Sequence, residues 1–135
     1  MASGFARRLG DDFSGYVLEN EPLSRHTTIR IGGPARLLIE ARDLHSLIEA
    51  CEACREAGIP WVALGGGSNL LVSDAGFQGA VISLGDGFSK CTFDEQLGVF
   101  SVGAGLRLSQ LVRQAAERGR TGPWAYLGQW AAQSE

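Results

Sequence analysis

The feature that most constrains this chain is an apolar strand that runs straight into three glycines. Ile59–Leu64 (IPWVAL) is short and apolar, and Gly65-Gly66-Gly67-Ser68-Asn69 follows it without a spacer. Three glycines in a row permit positive φ and remove every Cβ from the surface they present. Successive N–H groups in such a turn can form an anion-binding nest, to which Ser68 and Asn69 add side-chain donors. A phosphate or pyrophosphate is the natural occupant; a plain tight turn is the other reading of the same residues. The spacing is not GxGxxG, which excludes the Rossmann fingerprint.

The surroundings of that turn predict a mixed architecture. Asp43 is a good N-cap, and Leu44, Leu47, Ile48, Cys51 and Cys54 follow on one helical stripe. Gly58 sits where a left-handed residue ends a helix, with Pro60 just beyond. Ala35–Ala41 (ARLLIEA) reads as a buried strand, so residues 35–64 predict a βαβ unit with a parallel pair. Upstream, Phe5, Leu9, Phe13 and Tyr16 fall at near-helical spacing, which predicts a short polar lead-in helix over 1–20, ended by Pro22. His26–Ile31 alternates and is β-branched, predicting a strand stopped by Gly32-Gly33-Pro34. Downstream, Leu70–Val72 and Gly79–Leu84 read as strands split by a turn at Ser73–Gly76. Lys90–Phe93 and Val99–Val102 form the arms of an antiparallel hairpin. After Gly103-Ala104-Gly105, the positions Leu108, Leu111, Val112 and Ala115 mark a second helix ending near Gly119.

Composition narrows the function classes. Nineteen glycines in 135 residues is about twice the usual share, without a collagen period, so the excess belongs to local turns. The net charge is −3 with no basic block, which argues against a nucleic-acid partner. Lys90 is the only lysine and lies outside any GxxxxGK context, which excludes a P-loop. No stretch is long and apolar enough for a bilayer, and no secretory leader is visible; with three cysteines, a reduced cytoplasmic chain is expected. Cys51 and Cys54 are formally a CxxC, yet both lie mid-helix on the apolar stripe, where packing is the plain reading. A zinc site there would need two further ligands from Cys91, His26 and His45, so no metal site is expected. His45 reads as solvated and His26 as a surface residue, although its place before a strand would let it meet a ligand. No Ser/His/Asp set or carboxylate pair stands out, and no catalytic residue is assigned.

The run Asn20–Gly119 resembles the flavin-binding half of the MurB-type UDP-N-acetylenolpyruvoylglucosamine reductases. The resemblance is carried by NEPLSRHTTIRIGGPA (Asn20–Ala35), IPWVALGGGSNLLVSDAGFQGAVISL (Ile59–Leu84), VGAG (Val102–Gly105) and LSQLVRQAAERG (Leu108–Gly119), and by their order. It implies an α+β, PCMH-type FAD-binding domain, truncated, in which two small subdomains hold FAD between them. Residues 1–20 would be the lead-in, 21–86 the first subdomain, 87–122 the start of the second and 123–135 an aberrant tail. Gly65, Gly66, Gly67, Ser68 and Asn69 match the family's pyrophosphate-binding turn, and Gly103 and Gly105 match a second glycine pair that approaches the cofactor. Neither loop carries a histidine, so the resemblance implies non-covalent FAD. The family passes hydride from NADPH through the flavin to the enolpyruvyl group of a nucleotide sugar. Its serine, glutamate and arginine cannot be mapped onto this chain, which implies a weak or incomplete site and no turnover. The alternatives are a stand-alone FAD- or nucleotide-binding module and a non-catalytic interaction protein on the same scaffold.

The match fails after Gly122, where the family continues with a glycine-rich segment and this chain reads PWAYLGQWAAQSE. Trp is TGG and Ala is GCN, so each Trp-Ala pair read two bases later yields GGC, a glycine codon. Read throughout in that frame, the tail is compatible with the missing LGIPGTVGGAVG-type motif. The reading is a frameshift near codon 123; a genuine short paralogue with its own tail is the alternative.

Overall fold

The computed structural model describes residues 4–27, 30–65 and 72–120. A four-stranded sheet is built from β1 (Gly15–Pro22), β2 (Pro34–Ala41), β3 (Trp61–Leu64) and β4 (Phe77–Leu84), in the order β1-β2-β4-β3. β1 runs antiparallel to β2, while β4 is parallel to both β2 and β3. Helix α1 (Leu44–Glu56) connects β2 to β3. A separate two-stranded sheet, β5 (Cys91–Asp94) and β6 (Val99–Val102), is followed by helix α2 (Leu108–Glu117). The architecture is α+β.

β2 is the central strand of the core, buried on both faces. Leu37, Ile39 and Ala41 pack with Ala80 and Ile82 of β4 beneath Ala50, Ala53 and Cys54 of α1. Leu38 and Val81 point the other way, toward Leu23, Ala35 and Leu64. Ala35 joins the Leu38 cluster, and beside it the β2–β4 register shifts between Ala35 and Leu37, with the extra residue on β4. A strand buried on both sides reads as a continuous apolar run, and LLI in β2 and AVI in β4 do so.

α1 begins and ends where its sequence dictates. The Asp43 carboxylate accepts from the Ser46 N–H at 2.8 Å, and Gly58 takes φ +66 just past the last turn. The hairpin also forms as expected. The Asp94 carboxylate accepts from the N–H groups of Gln96 and Leu97, both at 2.9 Å, and Gly98 closes the turn at φ +67. Gly119 follows α2 at φ +65.

Four expectations need correction. The described part of the 1–20 lead-in, residues 4–20, is not a helix: Ala6–Arg8 make a single 3-10 turn, and Gly15–Pro22 are strand β1. Phe5, Leu9 and Phe13 do share one apolar cluster, but they reach it from turns rather than from a helix. His26–Ile31 is not a strand in its described residues. The Arg30 N–H donates to the Thr27 carbonyl at 3.2 Å, and Arg30 has φ +55, which a strand does not accommodate. β2 and β3 are parallel as expected but not paired, because β4 lies between them and supplies ladder bonds to both. Val72 lies outside any strand and β4 begins at Phe77; Leu70 and Leu71 fall outside the described residues.

Candidate functional site

The connection from β3 to β4 joins two neighbouring parallel strands, and it carries the glycine-rich segment. Its described ends are both held by close backbone contacts. At the start, Gly65 lies against the 103–105 turn, where a Cβ on Gly65 would sit 2.6 Å from the Ala104 carbonyl oxygen. At the far end, the Gly33 N–H donates to the Ser73 carbonyl at 3.0 Å, and a Cβ on Gly32 would sit 2.9 Å from the Val72 Cβ. Gly33 and Gly76 have no room for a side chain either, facing the Asp74 and Pro34 carbonyl oxygens at 2.3 and 2.1 Å from an added Cβ. Gly66, Gly67, Ser68 and Asn69 lie between these anchors, outside the described residues.

The second glycine turn sits at the carboxyl ends of the parallel strands. The Gly103 N–H donates to the Lys90 carbonyl at 2.7 Å and the Gly105 N–H to the Phe88 carbonyl at 2.9 Å. A Cβ on Gly103 would stand 2.0 Å from the Phe88 carbonyl oxygen, and one on Gly105 3.2 Å from that of Leu84, the last residue of β4. Both N–H groups are therefore spent within the chain, and these two glycines contribute shape. Ala104 between them is exposed. In open sheets with parallel strands, ligands bind outside the carboxyl ends. Here Gly65 after β3 and the 103–105 turn beside β4 meet at that edge.

The FAD binding domain family matches residues 35–129, about 70% of the chain. The chain belongs to this family. Its residues are 44% identical over 117 positions to a UDP-N-acetylenolpyruvoylglucosamine reductase from Syntrophotalea carbinolica, covering 87% of this chain and 38% of that one. A reductase of the same name from Heliobacterium modesticaldum is 46% identical over 111 positions, covering 82% and 35%. Among solved structures, the UDP-N-acetylenolpyruvylglucosamine reductase of Thermus caldophilus superposes with a TM-score of 0.55 at 35% identity, covering 82% of this chain and 36% of the other. The chain thus spans between a third and two fifths of the length of these relatives. A Cβ on Gly65 or Gly103 would run into the chain's own carbonyl oxygens, so the two glycine turns pack on backbone with no side chain between them, a close-packed edge that fits an FAD-binding domain.

The other singled-out residues lie elsewhere. Cys54 is fully buried and Cys51 half-buried on α1, and burial pushes the Cys54 thiol up to about 11. A thiol held protonated in this way is packing, not redox chemistry. His26 places Nε2 3.0 Å from Glu21 Oε1 with a quarter of its side chain exposed. His45 is exposed on α1, 3.7 Å from Asp12 Oδ2. An open cleft of about 530 Å³ is bordered by Phe5, Arg8, Asn20, Arg36 and Ile59, and none of the glycine turns lines it. Sequence reasoning did not bring Asp12, His45 and Glu49 together. His45 and Glu49 are one helical turn apart, but nothing local signals that Asp12 joins them.

Proposed function

We propose that this chain binds FAD non-covalently, with the pyrophosphate on the turn Gly65, Gly66, Gly67, Ser68 and Asn69, and with Gly103 and Gly105 shaping the wall beside it. The observation that carries the reading is the contact of Gly65 with Ala104 at the carboxyl edge of β3 and β4. It supports a pocket in which the loop's own N–H groups are donors. The second turn, whose N–H groups bond to Lys90 and Phe88, acts as a rigid shoulder. FAD, when bound, supplies a two-electron carrier of hydride. The chain's residues hold and orient it; the Gly32–Gly33 turn fixes the far end of the binding loop through Ser73.

The relatives' names support a place for this domain in the reduction of a nucleotide sugar, UDP-N-acetylenolpyruvoylglucosamine; NADPH as reductant and peptidoglycan precursor synthesis as the setting are part of the proposal. That reduction belongs to chains of the relatives' length. The part of it proposed for the residues here is flavin binding. A cytoplasmic location is in keeping with its free cysteines. Among the described residues, no helix is long and apolar enough to cross a membrane. Residues 123–135 are proposed to be an out-of-frame tail, and reading the coding DNA decides it. An alternative frame without a glycine-rich continuation defeats that proposal.

The functional test is reconstitution of the purified chain with FAD, followed by gel filtration and visible spectroscopy. Flavin co-eluting with protein and released by acid precipitation is the expected result. A folded sample that takes up no FAD would overturn the cofactor assignment, and colour retained in the acid pellet would overturn its non-covalent nature.

A further inference from the structure

The described residues contain one buried side-chain oxygen without a hydrogen-bond partner, Glu49 Oε2. Buried polar atoms are nearly always satisfied, and an orphan asks for an explanation such as an ion. Glu49 lies on α1, and its other oxygen, Oε1, accepts from the Gly10 N–H, which fixes the carboxylate's orientation. Two further ligand-capable side chains converge on it. Asp12, in the turn before β1, and His45, one helical turn before Glu49, each bring a donor atom to within 4.8 Å of the others. His45 Nε2 and Asp12 Oδ2 are already 3.7 Å apart. Gly10 makes the convergence possible: a Cβ there would stand 3.0 Å from both Asp12 Oδ1 and Glu49 Oε1.

We propose that Asp12, His45 and Glu49 bind one divalent transition-metal cation of the zinc class. The donor set decides the class. One imidazole nitrogen with two carboxylate oxygens suits zinc and its neighbours, whereas calcium and magnesium prefer oxygen alone. Three protein ligands leave a fourth tetrahedral position to water. Ligand bonds near 2.0–2.2 Å put tetrahedral donor atoms about 3.4 Å apart, so the ligands must draw in by about an ångström. Asp12 and His45 are exposed side chains free to rotate by that amount. The cation would give the Glu49 carboxylate a partner beyond the Gly10 N–H and offset the repulsion between two adjacent carboxylates. Its role is structural: it ties the segment before β1 to α1, beside the existing bond from the Ser14 N–H to Ser46 Oγ.

The test is calorimetric titration of the chelator-treated full chain with zinc chloride, alongside cobalt(II) spectra. One saturable zinc per chain in the micromolar range is expected, weakened by about tenfold or more in both Asp12→Asn and His45→Gln. Both residues are exposed, so circular dichroism should show these variants folded. Cys51→Ala should bind zinc as the parent does, and the cobalt complex should lack sulfur-to-metal charge-transfer bands. Absence of saturable binding overturns the proposal, as does affinity unchanged in both ligand variants. Thiolate bands that persist in His45→Gln assign the metal to cysteine and overturn it equally.

Discussion

Gly65 approaches the carbonyl oxygen of Ala104 so closely that a Cβ would stand only 2.6 Å from it. The obstructing atom is backbone and cannot rotate aside. Gly65→Ala is therefore expected to cost ~1–3 kcal/mol of stability by overpacking, and to weaken FAD binding by about tenfold or more, equivalent to ~1.4 kcal/mol. Gly58→Ala is the matched control. It has open space around it at φ +66, so its cost is backbone strain of about 1 kcal/mol, with flavin affinity unchanged. Urea unfolding and flavin titration of the two variants separate these effects. Wild-type behaviour of Gly65→Ala in both would remove the basis for the glycine edge.

The contrast between Gly65 and α1 shows what a single sequence can disclose. α1 was readable because its signals are local: the Asp43 cap, the stripe through Leu47 and Cys54, and Gly58 at the end. The β5–β6 hairpin was readable for the same reason, with Asp94 and Gly98 at its turn. β1 was not, because Phe5, Leu9 and Phe13 share a helix-like spacing while packing from turns, and β1 itself contributes Val17 to that cluster. The insertion of β4 between β2 and β3 is a long-range choice that no local pattern records. The glycine turn itself was legible as a candidate site, but the partner that explains Gly65 lies 39 residues away at Ala104.

Acid should loosen the start of α1. The Ser46 backbone N–H, and then the Ser46 side chain, hold the Asp43 carboxyl below its usual range. The folded pKa is thus lower than the unfolded one, and the native state binds fewer protons in the interval between them. The cap's contribution is complete above about pH 3.9 and is lost as pH falls through the folded value. Asp43→Asn should keep most of the cap while flattening this limb of the stability curve, and Asp43→Ala should lower stability across the neutral range. Thermal midpoints against pH for the three proteins check the sign. An Asn variant with an unchanged acid limb would contradict the assignment.

Alkaline solution should act through Cys54. Burial raises its thiol to about 11, with the neighbouring Cys51 adding to the effect. Between about pH 8.5 and the folded value, the unfolded chain has released a proton that the native chain still holds. Stability is therefore full below that interval and falls as pH rises through it. At neutral pH the thiolate fraction is of order one in ten thousand, so Cys54 should alkylate only through opening of the fold. Mass-spectrometric footprinting with iodoacetamide should modify Cys51 and Cys91, both half-buried, before Cys54. Equal rates at all three thiols would mean that α1 does not bury Cys54 in solution.

The end of α2 is fastened to the hairpin by aromatic contacts. Phe93 and Phe100 face each other across β5 and β6 with ring centroids 4.6 Å apart. The Arg118 guanidinium lies over both rings, at 5.5 and 5.8 Å, and Arg120 lies 5.5 Å from the Phe93 ring. A planar cation over a ring face is favourable by about 0.5–1 kcal/mol at exposed sites. Arg118→Ala should lose about that much, and Arg118→Lys should recover only part of it, because the compact ammonium cannot stack on two rings. A double-mutant cycle with Phe93→Leu isolates the contact, and a coupling near zero would reject it. If the fastening also steadies the 103–105 turn at the head of α2, Arg118→Ala will weaken FAD binding as well. Arg113, on the same helix, has no such ring contact among the described residues, and Arg113→Ala should leave that binding unchanged.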